Sequence, residues 1–317
     1  MSRRALITGA EGFVGGHLTG HLRATGWDVV RASLAGEPGT LRCDIRDVAQ
    51  VSGLFAQAGP VTHVFHLAGV ALEPEANASP NRAFQVNLEG TVNLLTQMQA
   101  VCPGARFINI GSAAAYGLPQ HLPITEEHPL EPAAPYGISK AAADHYCAFM
   151  HHAFALDIVR MRPFNHSGPG QPAGFVLPGF AHQIAAIERG DAPPVVRVGN
   201  LAARRDFLHV RDVVRAYESA ARDGASGAAY NVCSGNAVCI RDALDRLIAQ
   251  AGTPVDVEED PARMRPVDTP EVRGSHARLS ADTGWEPATA FDTLLADLLD
   301  DARRETGHAP GAQGDAS

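Results

Sequence analysis

The 317-residue sequence contains no apolar run of ~18 residues, the length a membrane-spanning helix requires, so no such helix is expected. It also lacks any long Lys/Arg cluster and carries a formal net charge of −9. Both features argue against nucleic acid as a partner, because a phosphate backbone needs a basic footprint. Its five cysteines (Cys43, Cys102, Cys147, Cys233 and Cys239) are odd in number and scattered, and form no Cys-x-x-Cys. A disulfide framework and a zinc site are therefore not expected, and buried free thiols are. The start of the chain enters Ala5-Leu6-Ile7-Thr8-Gly9 at once, too short an apolar run for a signal peptide and without a cleavage site, which predicts a cytoplasmic protein.

What is present is enough apolar material, 45% of residues, to bury a large core. From residue 3 to about 165, apolar runs alternate with amphipathic stretches. The runs are Arg4 to Ile7, Val29-Val30, Val61 to Leu67, Arg106 to Ile110 and Ile158 to Met161, with helix-like segments at Val48 to Gln57, Phe84 to Val101 and Tyr136 to Phe154. Long crossovers between apolar strands predict an α/β, doubly wound parallel sheet of the Rossmann type. After Pro163 the texture turns to Gly- and Pro-rich loops with short helical patterns such as Gly179 to Arg189, which predicts a smaller C-terminal α/β unit. Residues 303–317 are expected to be a disordered tail.

Between the first strand and first helix lies Gly9-x-x-Gly12-Phe13-Val14-Gly15. Such a turn needs one residue free to take positive φ, one without a Cβ where the backbone meets a pyrophosphate, and one where helix touches strand. The helix N-terminus then presents unpaired N–H groups to phosphate. A Gly-rich turn alone is often only a tight turn; its place between strand and helix points to a dinucleotide. At the end of the second strand, Asp28-Val29-Val30-Arg31-Ala32-Ser33 lacks the acid that would hold a ribose 2′-hydroxyl. Arg31 and Ser33 favour NADP(H) there, with NAD(H) left open, since Arg31 equally fits a solvated side chain.

Tyr136 and Lys140 stand four residues apart in a helix-like run and share one face. Lys140 is expected to lower the pKa of the Tyr136 hydroxyl, which would exchange a proton with a carbonyl oxygen as hydride moves. Ser112 follows the strand Phe107 to Ile110, where a parallel strand presents its end to the ligand crevice, and would hold the reacting oxygen.

Together, Gly9, Gly12 and Gly15 with Ser112, Tyr136 and Lys140 resemble the extended short-chain dehydrogenases/reductases. The resemblance implies that Asp44 and Ile45 flank the adenine, that Leu67, Ala68 and Gly69 line the cofactor, and that Asn87 supports the site. Further motifs are similar to the GDP-mannose branch of that family: Arg162-Pro163-Phe164-Asn165-His166, Arg204-Arg205-Asp206-Phe207 and Arg265-Pro266-Val267-Asp268. They imply a GDP-linked 4-keto-6-deoxy sugar as substrate, with Arg205 and Arg265 clamping the diphosphate, Asn165 holding it through its amide, Asp268 beside them, and His166 shaping the pocket. Ala113 and Ala114 stand where related dehydratases carry an acid and base, and methyl groups transfer no proton. The implied activity is an NAD(P)H-dependent reductase. An epimerase with retained NAD would use the same Ser, Tyr and Lys, and a non-catalytic dinucleotide-binding scaffold would need none of them. The implied organisation is a dinucleotide-binding domain over residues 1–165, to which part of 202–235 returns, a mainly nucleotide-sugar-binding domain over 166–302, and a homodimer paired through Phe84 to Val101 and Tyr136 to Phe154.

Overall fold

Residues 3–263 and 269–306 are described by the structure, a computed structural model. The first half alternates β1 (Arg4–Thr8), α1 (Phe13–Ala24), β2 (Asp28–Ser33), β3 (Leu41–Arg42), α2 (Val48–Ala58), β4 (His63–His66), α3 (Glu73–Ala78), α4 (Pro80–Phe84), α5 (Gly90–Val101), β5 (Arg106–Ile110), α6 (Pro135–Phe154) and β6 (Ile158–Pro163). The second half follows as β7 (Asn165–Ser167), α7 (Val176–Glu188), β8 (Val195–Val198), β9 (Arg204–His209), α8 (Val210–Asp223), β10 (Ala229–Val232), β11 (Ala237–Cys239), α9 (Ile240–Ala249), β12 (Asp256–Glu259), β13 (Glu271–Val272), α10 (Ala277–Thr283) and α11 (Phe291–Thr306).

Seven strands form one sheet in the order β10-β6-β5-β4-β1-β2-β3, every pairing parallel. Successive residues of a strand point to opposite faces, so β1 sends Leu6 into the layer under α2, α5 and α6 and Ile7 into the layer under α1 and α8, both fully buried. Strand order reverses between β1 and β4. The loops after those two strands therefore part, opening a crevice at the carboxyl ends of the sheet.

The expected helix Phe84 to Val101 is interrupted: α4 ends at Phe84, a π-helical turn covers Gln85–Glu89, and α5 begins at Gly90. The two-residue strand β3 carries too few residues to show a period and is not foreshadowed by the sequence pattern. Beyond β6, a second core gathers Leu177, Ile184, Val196, Phe207, Leu244 and Leu295 from α7, β8, β9, α9 and α11. Strand β10 and helix α8 return to the large sheet, beside β6 and beneath its α1 face. Helix α11 runs through Thr306, so residues 303–306 of the expected tail are helical. Its buried Leu294, Leu295, Leu298, Leu299 and Ala302 keep a helical spacing up to that point. The rest of that expected tail, 307–317, lies outside the described residues.

Candidate active site

The three glycines of the β1–α1 turn have separate reasons to lack a side chain. Gly9 takes φ +70°, and a Cβ there would lie 2.7 Å from the Ala68 nitrogen at the end of β4. At Gly15 a Cβ would stand 2.1 Å from the Gly9 carbonyl oxygen, so α1 can meet the turn only without one. Gly12, the N-cap residue of α1, receives no side-chain cap, and a Cβ there would meet nothing closer than the Gly9 oxygen at 3.3 Å. A side chain at Gly12 would crowd the Gly9 carbonyl, and the uncapped helix N-terminus at this glycine suits a phosphate.

Next to this turn, a cavity of about 290 Å³ is lined by Gly9, Ser33, Asp44, Ile45, Ala68, Gly69 and neighbouring side chains of α3, α4 and the π-helical turn. Asp44 is held there by Arg46, and Ile45 packs so closely on α5 that a Cβ at Gly90 would strike it at 2.4 Å. Leu67 donates its amide to the Thr8 carbonyl at 3.2 Å, tying β4's end to β1's. Phe13 and Val14 open α1; Val14 packs on the sheet and Phe13 stacks on His166 with centroids 6.3 Å apart. The cradle over Gly12 and this cavity fit a dinucleotide laid across the crevice.

At the end of β2 the structure adds a residue that reading along the strand misses. Glu11, from the glycine turn, reaches Ser33, whose hydroxyl donates to Glu11 Oε2, while Arg31 lies 3.7 Å from Oε1. An acid therefore stands at this strand end although β2 supplies none there.

The floor of the site is α6. Pro135 sits at its first turn, where a missing N–H costs nothing, and the next helical turn places Lys140 below Tyr136. Tyr136 packs against the buried cluster of Val70, Ala76 and Ala83, as Val86 does. Burial raises the Tyr136 pKa and a hydrogen bond with Ser112 opposes that. The expected lowering by Lys140 is not found: its Nζ donates to the Ile110 carbonyl at 2.9 Å, and burial brings its own pKa down to about 8. Asn87, aimed by the π-helical turn, donates to Ser139 Oγ at 2.9 Å and accepts from the Val70 amide at 2.9 Å. Such single π turns recur at functional sites. A Cβ at Gly69 would lie 2.9 Å from Asn87 Oδ1 and 3.3 Å from Lys140 Nζ, so the three residues form one packed unit. Beneath them His66, another residue the sequence motifs do not single out, bridges the Thr8 and Thr91 hydroxyls at 2.8 and 3.0 Å, and burial lowers its pKa to about 3.

Ser112 caps a short 3₁₀ turn, Ala113–Tyr116, its hydroxyl accepting from the Ala114 amide at 3.1 Å. The Ala114 carbonyl presses on α6 where a Cβ at Gly137 would come within 2.5 Å, which sets Ser112, Ala113 and Ala114 beside Tyr136. Arg162, part of the Arg-x-x-Asn motif, is buried and bidentate to Asp144 at 2.9 Å, with Arg160 on the same carboxylate at 2.8 Å. Burial alone would raise the Asp144 pKa, but the two guanidinium groups hold it below the usual carboxylate range. Asn165 is exposed on β7, whose neighbour β9 carries Arg205, and Arg205 donates to the Thr269 carbonyl at 2.7 Å. His166 Nδ1 lies 2.9 Å from the Phe164 carbonyl and burial lowers its pKa. Arg265 and Asp268 lie outside the described residues. Among the described residues no cluster of His, Cys, Asp or Glu could hold a metal, and no helix is long and apolar enough to cross a membrane.

Residues 6–298 match the family model described as GDP-mannose 4,6 dehydratase. The GDP-6-deoxy-D-mannose reductase of Pseudomonas aeruginosa is 38% identical over 305 residues, covering 95% of this chain and 97% of that protein. The solved structure of RMD from Pseudomonas aeruginosa complexed with NADPH superposes with a TM-score of 0.88 at 36% identity, covering 96% of this chain and 100% of that one. A UDP-glucose 4-epimerase from Thermus thermophilus, in complex with NAD, gives a TM-score of 0.84 at 29% identity over 95% of this chain and 99% of that one. The chain belongs to the GDP-mannose 4,6-dehydratase family of extended short-chain dehydrogenases/reductases, NAD(P)-dependent oxidoreductases that act on the CH–OH or C=O group of nucleotide sugars.

Proposed function

We propose that this protein reduces a nucleotide-linked 4-keto-6-deoxy sugar, GDP-4-keto-6-deoxy-D-mannose, to GDP-D-rhamnose, with NADPH as the favoured cofactor and NADH accepted. The observation that carries this reading is the hydrogen bond between Ser112 and Tyr136, with Ala113 and Ala114 next in the turn whose Ala114 carbonyl abuts Gly137. Proton donor and oxygen holder are present, and the two positions that would hold a dehydratase's acid and base carry methyl groups. A bound nicotinamide supplies the hydride; the rest falls to side chains. Tyr136, kept protonated by burial, gives its proton to the ketone oxygen. Ser112 steadies that oxygen. Lys140 and Asn87 fix the floor on which both stand. Gly9, Gly12, Gly15, Asp44, Ile45, Leu67, Ala68 and Gly69 hold the dinucleotide, Asn165, Arg205 and Arg265 receive the sugar diphosphate, and Asp268 belongs to the substrate site beside them. The relative found in Pseudomonas aeruginosa, a GDP-6-deoxy-D-mannose reductase, supports the choice of sugar, and the NADPH in the RMD structure supports the cofactor.

The test is to incubate the protein with GDP-mannose and NADP⁺ and follow the sugar nucleotide by mass. No loss of water is expected, because two missing proton-transfer groups cost a factor of about 10² or more each. Dehydration as fast as ketone reduction would overturn the assignment.

A further inference from the structure

We propose that Glu11, delivered by the glycine turn, is the acid that moderates this protein's preference for NADPH and lets NADH compete. Its carboxylate receives the ribose 2′-hydroxyl of NADH, and a 2′-phosphate has to displace it from Ser33 and Arg31. The proposal rests on the dinucleotide-dependent reading above and concerns how that one site chooses its cofactor.

In a parallel nucleotide-binding sheet the adenosine ribose is met at the end of the second strand, usually by an acid of that strand. Here β2 ends in Ser33 and its one acid, Asp28, stands at the opposite end of the strand, paired with Arg4. The turn after β1 is stitched to the same strand end by a hydrogen bond from the Ala10 amide to the Ala32 carbonyl at 3.1 Å, and this places Glu11 next in line. Its carboxylate is gripped from three sides. Ser33 Oγ donates to Oε2, the Glu37 amide donates to Oε1 at 3.0 Å, and Arg31 lies 3.7 Å from Oε1. Ser33 Oγ in turn accepts from the Gly36 amide at 3.0 Å, so the hydroxyl's proton is committed to Glu11. With one fifth of its side-chain surface exposed, Glu11 remains open to a ligand. These donors favour the ionised form, and its pKa is lowered accordingly.

A 2′-hydroxyl meeting this carboxylate donates a hydrogen bond and changes no charge. A 2′-phosphate brings a charge of about −2 onto a fixed negative group and finds Arg31 already engaged. Once Glu11 turns away, Arg31 can address the phosphate, with Arg42 close by because it pairs in register with Ser33. Arg31 thus serves NADPH only to the extent that Glu11 releases it.

The experiment is to measure dissociation constants for NADPH and NADH by the fluorescence of the reduced nicotinamide on binding, without any sugar, for the wild type, Glu11→Gln, Glu11→Ser and the double variant Glu11→Gln/Arg31→Met. The ratio of NADPH to NADH affinity should rise by about tenfold in Glu11→Gln, the scale of one relieved like-charge contact at a partly exposed site. Glu11→Ser, which leaves room for the phosphate, carries the same expectation should the glutamine variant fail to fold. The double variant should lose most of the gain. Equal change in both affinities would mean that Glu11 only braces the 33–37 turn, and would overturn the proposal, as would a gain that survives loss of Arg31. Failure to reduce the keto sugar with the shifted binding ratio intact would instead count against the reductase reading alone.

Discussion

Lys140 is the only lysine in the sequence, which makes its chemistry directly observable. In protein labelled with ¹⁵N-lysine a single side-chain resonance should titrate with a midpoint near 8, burial having lowered it from the ordinary lysine value of 10.5. A midpoint near 10.5 would mean that water reaches the ammonium. Below pH 8 the group is charged and donates to the Ile110 carbonyl; above it the charge is lost. Cofactor kcat/KM should therefore fall as pH rises through about 8. The sign for stability is opposite: the unfolded chain binds the extra proton between about 8 and 10.5, so this residue's contribution to folding becomes more favourable as pH climbs through that window. Tyr136→Phe should reduce turnover by about 10²- to 10⁴-fold while NADPH affinity stays within about twofold. Wild-type turnover in that variant would remove Tyr136 from proton transfer. The pair itself is legible from its four-residue spacing. Its electrostatics are not, because Ile110, Asn87 and Ser112 meet these side chains only through space.

Among elements, the β1–α1 turn separates binding from folding. Gly12→Ala adds a methyl group whose nearest neighbour is 3.3 Å away, so the protein should fold, yet NADPH affinity should drop by about tenfold or more as the methyl takes the place where the pyrophosphate meets the backbone. Gly16→Ala, one helical turn on, meets nothing within 4 Å and should stabilise α1 by about 0.5–1 kcal/mol with cofactor affinity unaltered. Calorimetry and fluorescence titration on the two variants check both halves; equal loss of affinity would show that α1 as a whole, and not the space over Gly12, governs binding. Behind the site, Asp144→Asn should cost about 3–5 kcal/mol by leaving Arg160 and Arg162 with an uncompensated charge, read as a lowered urea midpoint. The spacing of glycines and the alternation of β1, β4 and β5 can be read along the chain because each is a local pattern. Glu11 at the end of β2 and Arg162 in the Asp144 clasp cannot. Both depend on which distant elements the sheet brings together, and an arginine in a motif looks the same whether it grips a phosphate or a carboxylate.

At the scale of the molecule, five strands of the parallel sheet follow from apolar runs separated by crossover lengths, whereas β3 is too short to show a period, β10 joins from the second half of the chain, and the small sheet around β9 has strands too short and irregular to betray a period. Helix α6 buries one side against the large sheet and exposes Ile138 and Phe149 on the other, at helical spacing, with Phe154 at its end. We propose that α5 and α6 pair with the same helices of a second copy. Sedimentation at micromolar concentration should give a dimer, and Phe149→Glu should shift it to monomer; a wild-type monomer would leave that face to solvent.

The reductase reading meets its most direct test when purified protein is mixed with GDP-4-keto-6-deoxy-D-mannose and NADPH, absorbance is followed, and the product's C4 configuration is read by NMR. One NADPH should be consumed per ketone, yielding GDP-D-rhamnose. A ketone left intact with NADPH unspent, or a product carrying the opposite configuration at C4, would contradict it.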